Sequence, residues 1–166
     1  GPRMLMSGPW ITRNLGNYPP EMASMQRLIG TPEEAAAATE ELLNAGVDVI
    51  KAYVQLTPAH YKAITDAAHK RRIRVHAHVY AETDVRNALE NGVDVLTHAG
   101  SAGTAPPYSD RMIQELVNAG RPVVLVTLGG SSPDKPPAVG RGLREILVAV
   151  VARQIDQHLL AVFAKP

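Results

Sequence analysis

Three histidines and one lysine carry the chemistry this sequence could do. His76 and His78 lie two apart in the apolar run 73–79, His98 ends the run 93–98, and Lys51 interrupts the run 47–54, VDVIKAYV. Side chains two apart on a strand share a face, so His76 and His78 are co-facial and Lys51 sides with Val49 and Tyr53. In a parallel α/β sheet the carboxyl ends of the strands converge on the ligand site. A buried imidazole needs partners for both ring nitrogens, and three together are most economically explained by a divalent metal. A lysine at such a site has two chemistries open. It is a Schiff-base nucleophile with a lowered pKa, or it takes up CO2 to become a carbamate, an oxygen-donor anion able to bridge two metals. Tyr53 and Tyr80 fall just past strand ends, where a substrate would lie beside His78. Taken singly, a strand lysine reaches solvent as often as not, and a strand histidine is structural more often than a ligand. Their recurrence on successive strands is what argues for a site. His60 and His69, on the helix after the Lys51 strand, are expected to be solvated, and His158 defaults to structure.

The elements that must position these groups alternate. Thr31-Pro32-Glu33-Glu34 combines a capping threonine, a first-turn proline and a capping-box glutamate, opening a helix that stops at Gly46. The strand 47–54 follows. Thr57-Pro58 opens a second helix that ends in Lys70-Arg71-Arg72, a basic cluster suited to the helix dipole. Then come the strand 73–79, a helix over 82–91 with Gly92 as its stop, the strand 93–98, a helix from Ser109 to Gly120, and the strand 122–128. Strand starts at 47, 73, 93 and 122 are spaced 26, 20 and 29 residues apart, the spacing of βα units, so the sheet is expected to be parallel. A weak repeat marks the same joints: Asn44-Ala45-Gly46-Val47-Asp48-Val49 is echoed by Asn91-Gly92-Val93-Asp94-Val95. Upstream, 3–7 reads as a short strand and 9–30, rich in Pro, Gly and Asn, as a long irregular loop. Downstream, 129–142 reads as a loop and 143–165 as an apolar helix that must bury one face.

Composition narrows the classes. The chain has 166 residues, the size of one domain over 1–166. A net charge of +1 gives no electrostatic footprint for nucleic acid or membrane. The lack of cysteine removes disulfides, thiolate metal sites and a thiol nucleophile, and fits a reducing, cytoplasmic setting. No apolar run reaches the roughly 18 residues of a membrane helix, and no signal-peptide pattern opens the sequence.

The stretches GVDVIKAYV and HKRRIRVHAHVYAETDVRNALENGVDVLTHAG resemble the amidohydrolase superfamily, in its imidazolonepropionase-like and Xaa-Pro-dipeptidase-like branch. The resemblance covers about 1–130. It implies a metal-dependent hydrolase of amide, ester or lactone bonds on a (β/α)8, TIM-type barrel. Lys51 then matches the fourth-strand lysine that is carboxylated and bridges two metals, His76 the fifth-strand ligand and His98 the sixth-strand ligand. Lys51 and His98 would be catalytic, and Tyr53, His78 and Tyr80 would contact a small-molecule substrate. The cofactor implied is one or two divalent ions, zinc by preference, activating a water and polarising the scissile carbonyl. The superfamily's first-strand His-x-His pair and eighth-strand aspartate have no counterpart here. The expectation is therefore a partial barrel of about five parallel strands, flanking helices and the apolar C-terminal helix. Three explanations of its open edges stand open: a piece of a longer enzyme, a homo-oligomer or complementary chain that covers them, or a short relative with a rebuilt site. The alternative is a catalytically incomplete metal- or ligand-binding part of such a barrel, or an interaction module.

Overall fold

The computed structural model describes residues 4–13, 20–97, 108–120 and 123–124. They form strands β1 (Trp10–Arg13), β2 (Gln26–Ile29), β3 (Val49–Ala52), β4 (Arg74–His78), β5 (Val95–Thr97) and β6 (Val123–Val124). Helices α1 (Pro32–Asn44), α2 (Pro58–Lys70), α3 (Glu82–Glu90) and α4 (Asp110–Ala119) alternate with the later strands, and a 3-10 turn over Pro20–Met25 precedes β2. All six strands are parallel, in the order β2-β1-β3-β4-β5-β6. The order is sequential from β3 to β6, but the chain steps from β1 outward to β2 and then back past β1 to β3.

Four anticipated strands are present. The expected strand at 3–7 is not: residues 4–7 join no ladder, although the Met6 carbonyl accepts from the Asp48 N–H at 2.8 Å. The stretch expected as an irregular loop holds β1 and β2, which pair with each other over four residues. The anticipated loop 129–142 and helix 143–165 lie outside the described residues.

Each helix starts as its sequence dictates. Thr31 accepts from the Glu34 N–H at 3.2 Å while the Glu34 carboxylate reaches back to the Gly30 and Thr31 N–H groups, a cap worth about 1 kcal/mol. Ser109 caps α4 in the same way, through Met112, and Gly120 ends it at φ 61°. At α2 the residue in the capping-box position is His60. Its Nδ1 accepts from the Thr57 N–H at 3.3 Å, and its Nε2–H donates to the Gly30 carbonyl at 3.2 Å. His60 is therefore 4% exposed and ties α2 to the start of α1, not solvated as expected.

One apolar core lies between sheet and helices. Ile11, Ile50, Ala52, Val75, Ala77, Val79 and Leu96 project from the strands into it, against Ala38, Leu42, Ile64, Ala68, Val85, Met112 and Leu116 of the helices. Period-two alternation sends Trp10, Thr12, Lys51, Tyr53, His76, His78, Val95 and Thr97 to the other face. Helices on one face only is the layering of a barrel wall rather than a doubly wound sheet. Register is fixed by the same alternation. Sliding β4 by one residue would drive His76 and His78 into the core and expel Val75 and Ala77, each buried apolar side chain being worth roughly 1–3 kcal/mol.

The repeated Gly-Val-Asp joints make equivalent bonds at the amino ends of the strands. Gly46 and Gly92 both sit near φ 85°, at 84° and 85°, so each helix can turn sharply into the next strand. The Asp48 carboxylate then accepts from the Met6 N–H at 3.0 Å, and the Asp94 carboxylate accepts from the Val75 N–H at 2.8 Å. Asp94 also pairs with His69 at 2.8 Å. Asp94→Ala strips the acceptor from a strand amide and breaks this pair, at an expected cost of about 1–3 kcal/mol. Asp48→Ala, whose bond is exposed, is expected to cost under about 1 kcal/mol. Urea midpoints of the two variants check this, and equal losses would refute the ranking.

Candidate active site

Strand register brings the predicted chemistry together. Lys51 on β3 is in register with His76 on β4, and His76 with Val95 on β5; one step nearer the carboxyl ends, His78 is in register with Thr97. Tyr53, two residues past Lys51 and anchored by its N–H on the Ile11 carbonyl at 2.8 Å, carries the upper row onto β3. His98, the anticipated third ligand, lies outside the described residues. Among the described residues no three His, Asp or Glu side chains gather into a metal-holding group.

The Lys51 side chain spans β4 and donates from Nζ to the Thr97 hydroxyl. That hydroxyl in turn donates to the Ala77 carbonyl at 2.8 Å. With its own proton committed, Thr97 can only accept from the amine, which fixes where the amine sits. Sequence reasoning missed Thr97; the only signal was a hydroxyl residue placed just before His98. Burial without a carboxylate partner lowers the Lys51 pKa from 10.5 to about 8. The His76 pKa is also lowered, first by burial and then by the Lys51 charge. Both groups are thereby biased toward their neutral, lone-pair-bearing forms, which are the forms that bind metals or react with CO2.

A stability consequence follows. The folded pKa of Lys51 lies below its unfolded value, so the unfolded chain binds the extra proton more readily. The charged amine costs stability below pH 8, and that cost is relieved as pH rises from about 8 toward 10.5. In a spectrum of lysine-labelled protein, Lys51 is expected to titrate near pH 8. A Lys51 midpoint at 10.5 would show that it is not buried.

Above this pair runs a row of rings. Trp10 stacks on Tyr53 with centroids 4.8 Å apart; Tyr53 meets His78 at 4.6 Å, and His78 meets Tyr80 edge-on at 4.2 Å. The Tyr108 hydroxyl donates to the Tyr80 carbonyl at 3.1 Å, fastening the end of β4 to the start of α4. Glu82 accepts from the Ser109 N–H at 2.6 Å and, with Glu115, brackets Arg86, so α3 and α4 are locked beside the site. All three predicted substrate contacts thus lie in one row. Trp10 joins them although its segment was expected to be a loop.

No protein-family model matches the sequence, and no curated protein matches it. Solved structures do. A prolidase complexed with N-methylphosphonate-L-proline is similar over 94% of this chain, at 19% identity and a TM-score of 0.67. A protein assigned as a prolidase from Bifidobacterium longum is similar over 92%, at 26% identity and a TM-score of 0.60, and an amidohydrolase over 92%, at 19% and 0.62. The chain spans 47%, 40% and 45% of the lengths of these three chains. Its six described parallel strands, with helices on one face and Lys51 beside His76 on the other, are a partial α/β barrel similar in fold to prolidase and amidohydrolase structures.

Proposed function

We propose that the chain supplies the central strands of a metal-dependent hydrolase site acting on amide, ester or lactone bonds. The observation that carries this is the Lys51–His76 register pair on the face free of helices, on a fold similar to prolidases and amidohydrolases. The residues present suit a cation. Lys51 as a carbamate would be an oxygen-donor ligand, neutral His76 a nitrogen ligand, and His98, next after Thr97, the third. Together they would hold one or two divalent ions, zinc by preference. When bound, the metal would activate a water and polarise the scissile carbonyl.

The chain's own groups prepare that chemistry. The neutral Lys51 amine is the form whose lone pair bonds to the carbon of CO2, with release of one proton. Thr97 can accept an N–H from the amine or from the carbamate, so it holds the side chain in place through the change. Tyr53, His78 and Tyr80 present rings where the substrate would lie. A second copy or a complementary chain is the partner we expect along the β2 edge, because β2 has a strand neighbour on one side only among the described residues. The second reading, a metal-binding part without turnover, rests on the chain's span of under half of the similar barrels. Among the described residues no helix is long and apolar enough to cross a membrane, and with the lack of cysteine this favours the cytoplasm.

Metal analysis of the purified chain, with hydrolysis of an anilide, an ester and a lactone measured before and after chelation, tests these readings. About one bound divalent ion per chain and chelator-sensitive hydrolysis are expected. Metal without turnover would support the second reading, and neither metal nor turnover would sink both.

A further inference from the structure

The Lys51 side chain starts on β3, crosses β4 and ends at the Thr97 hydroxyl of β5. A threonine hydroxyl has one proton to give and two lone pairs to receive with. At Thr97 the proton goes to the Ala77 carbonyl at 2.8 Å. The residue is only 6% exposed, so the hydroxyl is held in that direction. Towards the lysine it can therefore accept and cannot donate. Its strand neighbours Val95 and Leu96 are buried and apolar. A hydroxyl among them has a polar task at each of its two ends.

This one-way bond sorts the groups that Lys51 could carry. An amine brings N–H donors. A carbamate brings one N–H donor and two oxygens that only accept. In forming it, the amine nitrogen bonds to the carbon of CO2, one C=O electron pair moves onto oxygen, and one amine proton leaves to solvent. The N–H that remains can keep Thr97 as its acceptor. The two oxygens cannot bond there, because acceptor would face acceptor. With the stem running back to β3 and the N–H fixed on β5, the carboxyl carbon takes the third direction of a planar nitrogen. That direction stays on the helix-free face, where His76 stands in register with Lys51.

We propose that Thr97 is the positioning residue of the Lys51 carbamate: it accepts the N–H, turns the two oxygens away from β5 and so presents them on the face that His76 shares. This rests on the hydrolase reading above and deepens it, because it names the side chain that decides how the lysine ligand is offered to a cation. Thr97 touches no reacting atom; it acts through Lys51.

The metal-free full chain is titrated with isotope-labelled bicarbonate. The carbamate carbon resonance, assigned by its loss in Lys51→Met, measures loading. The ring resonances of His76 report the new charge beside it. The native chain is expected to load and to displace the His76 signals. Thr97→Val keeps the shape and suits a strand but offers no acceptor. It is expected to need about threefold to tenfold more bicarbonate for half-loading, the worth of one hydrogen bond, and to displace His76 less at equal loading. Thr97→Ser restores the hydroxyl and is expected to restore both readings. A residue that only packs would move the urea midpoint and leave loading and the His76 signals alone. A valine variant that matches the native chain in both, or a serine variant that fails as valine does, would overturn the proposal. If valine prevents folding, Thr97→Ala removes the same acceptor and decides. A native chain with no carbamate signal would sink this proposal together with the carbamate ligand of the hydrolase reading. Native loading that is indifferent to residue 97 would sink this proposal alone.

Discussion

On the hydrolase reading proposed above, Lys51→Met is expected to lower chelator-sensitive hydrolysis by about a thousandfold or more while leaving the fold intact. Methionine keeps an unbranched apolar stem of similar reach but cannot become a carbamate. The Thr97 hydroxyl loses a donor to accept from, yet it still donates to the Ala77 carbonyl, so no buried donor is orphaned and stability should change by under about 1 kcal/mol. Below pH 8 the variant should even be slightly more stable, because it no longer buries a charged amine. A drop in activity without a drop in stability marks a residue acting on the reacting groups rather than on packing. Lys51→Arg should lose as much, since a guanidinium keeps its charge and forms no carbamate. Metal content, hydrolysis rate and urea midpoint, measured on each variant, check this. Retention of activity by Lys51→Met would remove the lysine from the mechanism.

How much of this was legible in the sequence follows from the range of each signal. Lys51, Tyr53, His76 and His78 could be placed on one face because strand alternation is local and regular. That Lys51 would neighbour His76 followed from βα spacing, and the register bears it out. β1 and β2 were not legible. Trp-Ile-Thr-Arg and Gln-Arg-Leu-Ile are four residues each, too short for a periodic signal, and they are strands because they pair with one another. Losing β1 meant losing Trp10. The alternation of Trp10 and Thr12 around a fully buried Ile11 is the cue that existed. His60 was misplaced for a related reason. A histidine three residues after Thr57 does the work of a capping-box glutamate, and propensity rules do not anticipate that substitution. Thr97 was invisible because its role depends on a lysine that reaches it across an intervening strand.

Ile64→Ala should be the most destabilising single truncation in the described core, costing about 2–5 kcal/mol. Ile64 is 0% exposed in the middle of α2. That helix packs on α1, β3 and β4, and so backs both strands that carry the site. Truncation removes three carbons from a place where neighbours on three sides cannot all close in, leaving a cavity. Ile64→Val, which loses one methylene, should cost only about 0.5–1.5 kcal/mol. Typical domains have total stabilities of about 5–15 kcal/mol, so the alanine variant should remain folded but with faster amide exchange across β3 and β4 together. The Lys51 titration should then move upward from about 8 as water reaches the amine more often. Urea midpoints and a lysine titration on the same samples test both links. A large stability loss with the Lys51 midpoint unmoved would mean that α2 stabilises the chain without holding the site's strands in place.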